Sequence, residues 1–163
     1  MLEIGDEPPD FTVPMACGNA YNDVSEFHLA EVIDEGIVVL AFFPAAFTGG
    51  CTEELCSFRD SMRRFNECNA KVYGISVDLP PAQNIFIQQL GLNFALLSDF
   101  EQNVIEAYGT IREELYGVRG VARRSVFVIA DGTIQYRWVR CNDERPDYTE
   151  LVATIGEKVE TLA

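Results

Sequence analysis

At 163 residues, 48% of them hydrophobic, the chain is long enough to bury a core without disulfide staples, and no apolar run reaches the length of a membrane span. Twenty-six acidic residues against twelve cations give a net charge of −14, which disfavours binding to nucleic-acid phosphates or an anionic membrane. Five cysteines, an odd number at irregular spacing, do not describe a secreted disulfide framework, and the start Met1-Leu2-Glu3-Ile4 lacks the basic and apolar parts of a signal peptide, so the expectation is one cytoplasmic domain over residues 1–163.

In chain order, Phe11 to Phe27 reads as short strands joined by turns at Gly18-Asn19 and Asn22-Asp23. Ile37 to Phe43 is continuously β-branched, aliphatic or aromatic, the character of a parallel strand covered on both faces, and Pro44 ends it by withholding an N–H. Beyond Cys51 the apolar residues Leu55, Phe58, Met62 and Phe65 fall on one helical face. A strand is expected at Val72–Val77, a helix from Pro81 to Leu90 opened by proline, a short strand at Phe94–Leu97, and a helix near Gln102–Tyr108 ending at Gly109. Ser125–Ala130 and Thr133–Val139 flank Asp131-Gly132, a strong hairpin signal, and a helix from Asp147 to Leu162 closes the chain. Strands alternating with helices and finishing in a hairpin predict an α/β fold with a mixed central sheet flanked by helices.

The pattern puts Cys51 at a helix N-terminus just outside the end of a strand. A free thiol titrates near ~8.5, and unpaired N–H groups with the positive end of a helix dipole pull that value down, which makes Cys51 a nucleophile candidate whose pKa is expected to be lowered. Gly49 and Gly50 let the backbone approach a small ligand, and Thr48 adds a hydroxyl that both donates and accepts.

Pro44, Thr48 and Cys51 spell Pro-x-x-x-Thr-x-x-Cys, and at these residues the chain resembles the peroxiredoxin family. The segments Gly5-Asp6-Glu7-Pro8-Pro9-Asp10-Phe11, Lys71 to Asp78, and Arg124 to Ile129 with Asp131-Gly132 extend the likeness over most of the chain. The resemblance implies a thioredoxin-like fold and a thiol peroxidase needing no cofactor or metal, with a hydroperoxide as substrate and a thioredoxin-like or low-molecular-weight thiol as reductant. It implies that the Cys51 thiolate attacks a peroxide oxygen, that Thr48 hydrogen-bonds the peroxide, that Pro44 shields the sulfur, and that Glu54 orients the active-site arginine. The family places that arginine three residues before the strand phenylalanine, here Phe127, which implies Arg124, and the neighbouring Arg123 would point to the opposite side of an extended chain. The family offers monomers, dimers and rings, a homodimer among them.

Cys56, as the second cysteine of Cys-x-x-x-x-Cys, resembles the resolving cysteine of the bacterioferritin-comigratory branch. Five residues apart on an α-helix place two Cα atoms about 8.6 Å from each other, whereas a disulfide rarely tolerates more than roughly 7 Å. The first turns would have to unwind before Cys51 and Cys56 join. Cys17, Cys68 and Cys141 leave other routes open, and a one-cysteine mechanism, resembling the alkyl-hydroperoxidase E-like branch, would leave Cys56 as helix packing.

Rival readings are weaker. A thioredoxin-type reductase wants Cys-x-x-Cys, and a single histidine, His28, denies the raw material of a Cys-His pair or a histidine-rich metal site. A non-catalytic redox sensor or chaperone on the same fold would have no need of the proline, threonine, cysteine, glutamate and arginine together. Only Lys71 and Lys158 are lysines, and this acidic, arginine-weighted composition looks halophilic, the alternative being an ordinary acidic surface.

Overall fold

The computed structural model describes residues 1–112, 114–141 and 145–163. Two short strands, β1 (Thr12–Ala16) and β2 (Val24–His28), form an antiparallel pair, and one helical turn, α1 (Leu29–Val32), leads to β3 (Ile37–Phe42). The long helix α2 (Gly49–Glu67) follows, then β4 (Ala70–Ser76), α3 (Pro80–Leu90), β5 (Leu96–Ser98) and α4 (Asn103–Ala107). A two-residue ladder, β6 (Ile111–Arg112) with β7 (Val121–Ala122), precedes the hairpin β8 (Ser125–Ala130) and β9 (Thr133–Val139), and α5 (Tyr148–Leu162) ends the chain.

Seven strands share one mixed sheet in the order β2-β1-β5-β4-β3-β8-β9. The parallel pairs are β3 with β4 and β4 with β5, while β8 runs antiparallel to β3, so the start of β8 lies beside the end of β3, with Ser125 opposite Phe42. The hairpin turn has positive φ at both Asp131 (53°) and Gly132 (76°), the geometry that lets two residues join right-twisted strands.

Because β3 is covered on both faces, its alternate residues feed two cores. Val39, Ala41 and Phe43 pack under α2, α3 and α5 with Leu55, Phe58, Phe65, Phe86 and Ile155, and Val38, Leu40 and Phe42 pack on the other side with Val104, Tyr108, Phe127 and Ile129. The expected helical face of α2 is the buried one: Leu55, Phe58, Met62 and Phe65 are all in the core.

Boundaries move where local backbone chemistry intervenes. The α3 helix begins at Pro80 rather than Pro81 and ends on Gly91 in a left-handed cap (φ 61°). Gln102 itself adopts φ 67° as the N-cap, so α4 starts one residue later than its apolar pattern implies. The last helix begins at Tyr148 because Asp147 caps it, its carboxylate accepting from the Glu150 N–H at 3.1 Å. Among the described residues no helix is long and apolar enough to cross a membrane, and no three histidine, cysteine or acidic side chains converge as metal ligands.

Candidate active site

The parallel strands β3 and β4 deliver their carboxyl ends to one rim of the sheet, and the site forms there. After β3 the buried Pro44 turns the chain into a loop that reaches α2 through Phe47, whose φ of 67° is a left-handed conformation uncommon for an aromatic residue. The loop is pinned from β4. Asp78 Oδ2 accepts the Ala46 N–H at 2.9 Å and the Ser76 hydroxyl at 2.7 Å, a positioning role that the sequence pattern did not single out. The Phe47 ring packs edge-on against Phe86 of α3 at 5.1 Å, yet remains 53% exposed, so the rim of the site is apolar.

Thr48 caps α2 without a side-chain capping bond; its hydroxyl donates instead to the Ala45 carbonyl at 2.9 Å, which turns it towards the loop. Cys51 therefore lies in the first turn of α2, as expected, and its residue exposure is 0%. Arg124, one residue ahead of β8 and carried to the rim by the pairing of Ser125 with Phe42, donates from Nη2 to Cys51 Sγ at 3.3 Å and from Nη1 to Glu54 Oε2 at 2.7 Å. Arg124 is thus the arginine whose side chain reaches the sulfur. Glu54 is also fully buried, one helical turn beyond Cys51.

The two glycines act differently from each other and from expectation. Around Gly49 a Cβ would meet nothing within 4 Å, whereas at Gly50 it would lie 2.9 Å from Arg124 Nη2 and 3.2 Å from Tyr148 Oη. The close approach that Gly50 permits is thus to a guanidinium and a phenol. Tyr148, at the start of α5, was not legible as a site residue; an aromatic opening an amphipathic helix reads as core.

Electrostatics overturn one expectation. Burial pushes the Cys51 thiol above its ordinary value, and the Arg124 charge, which pulls it down, does not offset that cost. Enclosure, which a sequence does not display, outweighs the pull of the Arg124 charge. Burial likewise pushes the Glu54 carboxyl up to about 7 against the pull of Arg124. Burial works against the guanidinium charge too, but Glu54 and Cys51 hold it protonated. One buried cation thus faces two acids, and an ionised Glu54 raises the cost of a thiolate at Cys51. Glu54→Gln keeps an oxygen that can accept from Arg124 while removing the competing charge. Its Cys51 alkylation profile should move about one pH unit lower, and an unmoved or higher profile would refute the competition.

Cys56, half-buried on α2, lines a groove with Glu53, Asp60, Arg145 and Pro146, and Arg145 Nη2 lies 2.7 Å from Glu53 Oε1 across it. Cys17, Cys51, Cys56, Cys68 and Cys141 are all free thiols. Cys51 and Cys56 share the intact helix, so the structure is that of the unbonded state.

A thioredoxin-like sheet presenting a buried thiol to an arginine at a helix N-terminus defines a thiol-dependent peroxidase. The AhpC/TSA family profile matches residues 4–137. A Mycobacterium tuberculosis protein provisionally named a peroxiredoxin is 41% identical over 136 residues, 82% of each chain, and the peroxiredoxin Bcp of Escherichia coli K12 is 33% identical over 138 residues, 83% of this chain and 84% of that one. The crystal structure of the peroxidoxin BcpB of Mycobacterium tuberculosis superimposes with a TM-score of 0.85 at 29% identity, covering 100% of this chain and 99% of the other. The chain belongs to the AhpC/TSA family and is a peroxiredoxin.

Proposed function

We propose that the protein reduces hydroperoxides at Cys51 and regenerates the sulfur through Cys56. The observation that carries this reading is the placement of one buried guanidinium between Cys51 Sγ (3.3 Å) and Glu54 Oε2 (2.7 Å). The Cys51 thiolate attacks the terminal peroxide oxygen, the O–O bond breaks, and sulfur leaves the step as sulfenic acid while the departing oxygen takes up a proton as water or alcohol. Arg124 supplies directed donors for the peroxide oxygens, Thr48 hydrogen-bonds the peroxide once its hydroxyl turns from the Ala45 carbonyl, Pro44 shields the sulfur, and Glu54 orients Arg124. Cys56 then attacks the sulfenic sulfur, releasing water and leaving an intrachain disulfide for a thioredoxin-like or low-molecular-weight thiol to reduce. Ala45, Ala46 and the exposed Phe47 form an apolar rim that favours organic hydroperoxides beside hydrogen peroxide.

The second reading, a one-cysteine peroxidase resolved by an external thiol, draws support from the intact helix, in which the Cys51 and Cys56 Cα atoms stand about 8.6 Å apart. Steady consumption of hydroperoxide by catalytic amounts of the pure protein, with a thiol donor, tests peroxidase against sensor. A sensor oxidises once and stops.

We further read residues 1–163 as one domain working in a cytoplasm of high ionic strength. Arg63, Arg64, Lys71, Arg137 and Arg145 each engage a surface carboxylate, but twelve cations cannot neutralise 26 acids. Screening the excess relieves self-repulsion, so the melting temperature should climb steadily from dilute buffer into molar potassium or sodium chloride. A flat curve in a calorimetric salt series would return the composition to an ordinary acidic surface.

A further inference from the structure

Both hydrogen bonds that aim Arg124 come from α2, the element that the reading above requires to open. Its Nε is buried with no hydrogen-bond partner among the described residues. Two hydrogen bonds fix the Nη ends of the guanidinium but leave the tilt of its plane to whatever packs against its face. Against Arg124 lies the ring of Tyr148, with the guanidinium carbon 5.3 Å from the ring centroid, within the range at which an aromatic face attracts a cation.

Tyr148 is well placed for that task. It is 3% exposed, it is fixed at the start of α5 by the Asp147 cap, and α5 is anchored in the core through Val152, Ile155 and Val159. Gly50 completes the slot: a side chain there would collide with Arg124 Nη2 and crowd Tyr148 Oη. The phenol oxygen itself is buried without a hydrogen-bond partner among the described residues, so the ring and not the hydroxyl makes the contact. Burial pushes the Tyr148 hydroxyl above its ordinary value, so the ring stays neutral and adds no third acid to the competition for Arg124.

We propose that Tyr148 is the positioning residue for Arg124, its ring holding the guanidinium plane towards Cys51 from a helix that does not take part in the opening of α2. The proposal rests on the peroxidase reading of the site and extends it to a residue outside the motif. Loss of the ring leaves Arg124 charged but unaimed, so the Cys51 thiolate loses a directed partner and the peroxide loses a directed donor.

The test combines three variants with two readouts, the rate of peroxide reduction and the pH profile of Cys51 alkylation resolved peptide by peptide by mass spectrometry. Tyr148→Leu should slow reduction about tenfold and move the alkylation profile about one pH unit higher. The conservative Tyr148→Phe, which keeps the ring, should rescue both to within about threefold. In Arg124→Ala, adding Tyr148→Leu should cost nothing further in either readout, because the group it positions is gone. A merely structural role would instead lower both backgrounds alike. Wild-type behaviour of Tyr148→Leu, a Tyr148→Phe as slow as the leucine variant, or an additive loss in Arg124→Ala each overturns the proposal. Melting curves of each variant confirm that folded protein is being compared. If the wild-type protein itself consumes no peroxide, the peroxidase reading fails, and the alkylation profiles still decide whether Tyr148 aims Arg124.

Discussion

Cys51→Ser will abolish peroxide turnover while leaving the fold in place. Oxygen for sulfur is a small change in volume at a site with 0% exposure, and the serine hydroxyl can still accept from Arg124 Nη2, so packing and the Glu54 pair persist. What disappears is the nucleophile. Burial pushes the thiol up, but Arg124 stands 3.3 Å from the sulfur to stabilise the thiolate when it forms. A serine hydroxyl has no appreciable ionised fraction, and the nearby Glu54 carboxylate is engaged by Arg124 rather than hydrogen-bonded to position 51. Removal of a catalytic nucleophile elsewhere costs many orders of magnitude, and here a loss on the order of a thousandfold or more is expected. Continuous peroxide consumption with a thiol donor, set beside an unchanged melting temperature, measures both halves of the statement. Turnover near the wild-type rate would remove Cys51 from the centre of the mechanism.

The elements that announce themselves in the sequence are those whose cause is local. The six residues Ile37 to Phe42 form a strand because nothing in them favours water, and α2 shows its buried face because Leu55, Phe58, Met62 and Phe65 repeat at helical spacing. Asp131-Gly132 specifies its turn through two positive φ angles. The elements that stay silent are made by tertiary contact. Helix α1 is a single turn, and β6 and β7 are two residues each, held by the pairings Ile111 with Ala122 and Arg112 with Val121. No window of propensity is long enough to mark them.

The site divides in the same way. Pro44, Thr48, Cys51 and Glu54 lie within one stretch of loop and helix, so a single motif resemblance names them together, and the same resemblance names Arg124 by its place before Phe127. Asp78 and Tyr148 reach the site from β4 and α5, and their side chains are ordinary for a strand end and an amphipathic helix. The direction of the Cys51 shift was missed for a related reason. A helix N-terminus is visible in a sequence, whereas the complete enclosure that pushes the thiol up is a property of the packed loop, Arg124 and α5 together.

One equivalent of hydrogen peroxide added to the reduced protein should give an intramolecular disulfide between Cys51 and Cys56, with faster amide exchange across residues 51–58. The bond cannot form on the intact helix, because Cα atoms about 8.6 Å apart exceed the reach of about 7 Å for a disulfide. The first turns of α2 are suited to opening. Gly49 and Gly50 are each about 1 kcal/mol poorer than alanine in a helix, and the Thr52 hydroxyl leans on the Thr48 carbonyl at 2.9 Å rather than on the core. From Leu55 onward the helix is held by Phe58, Met62 and Phe65, so unwinding stops near the position of Cys56. Opening also draws Cys51 out of complete burial and towards the groove that Cys56 lines. Denaturing alkylation and mass spectrometry will show which sulfurs have bonded, and hydrogen exchange will show where the helix has loosened. In Cys56→Ser the sulfur should halt at sulfenic acid and pass more readily to sulfinic acid under excess peroxide. Accumulation of Cys51 sulfenic acid in the wild-type protein, with Cys56 still open to alkylation, would make the enzyme a one-cysteine peroxidase. Cys56 would then be packing, and an external thiol would have to reach a sulfur that the folded loop encloses.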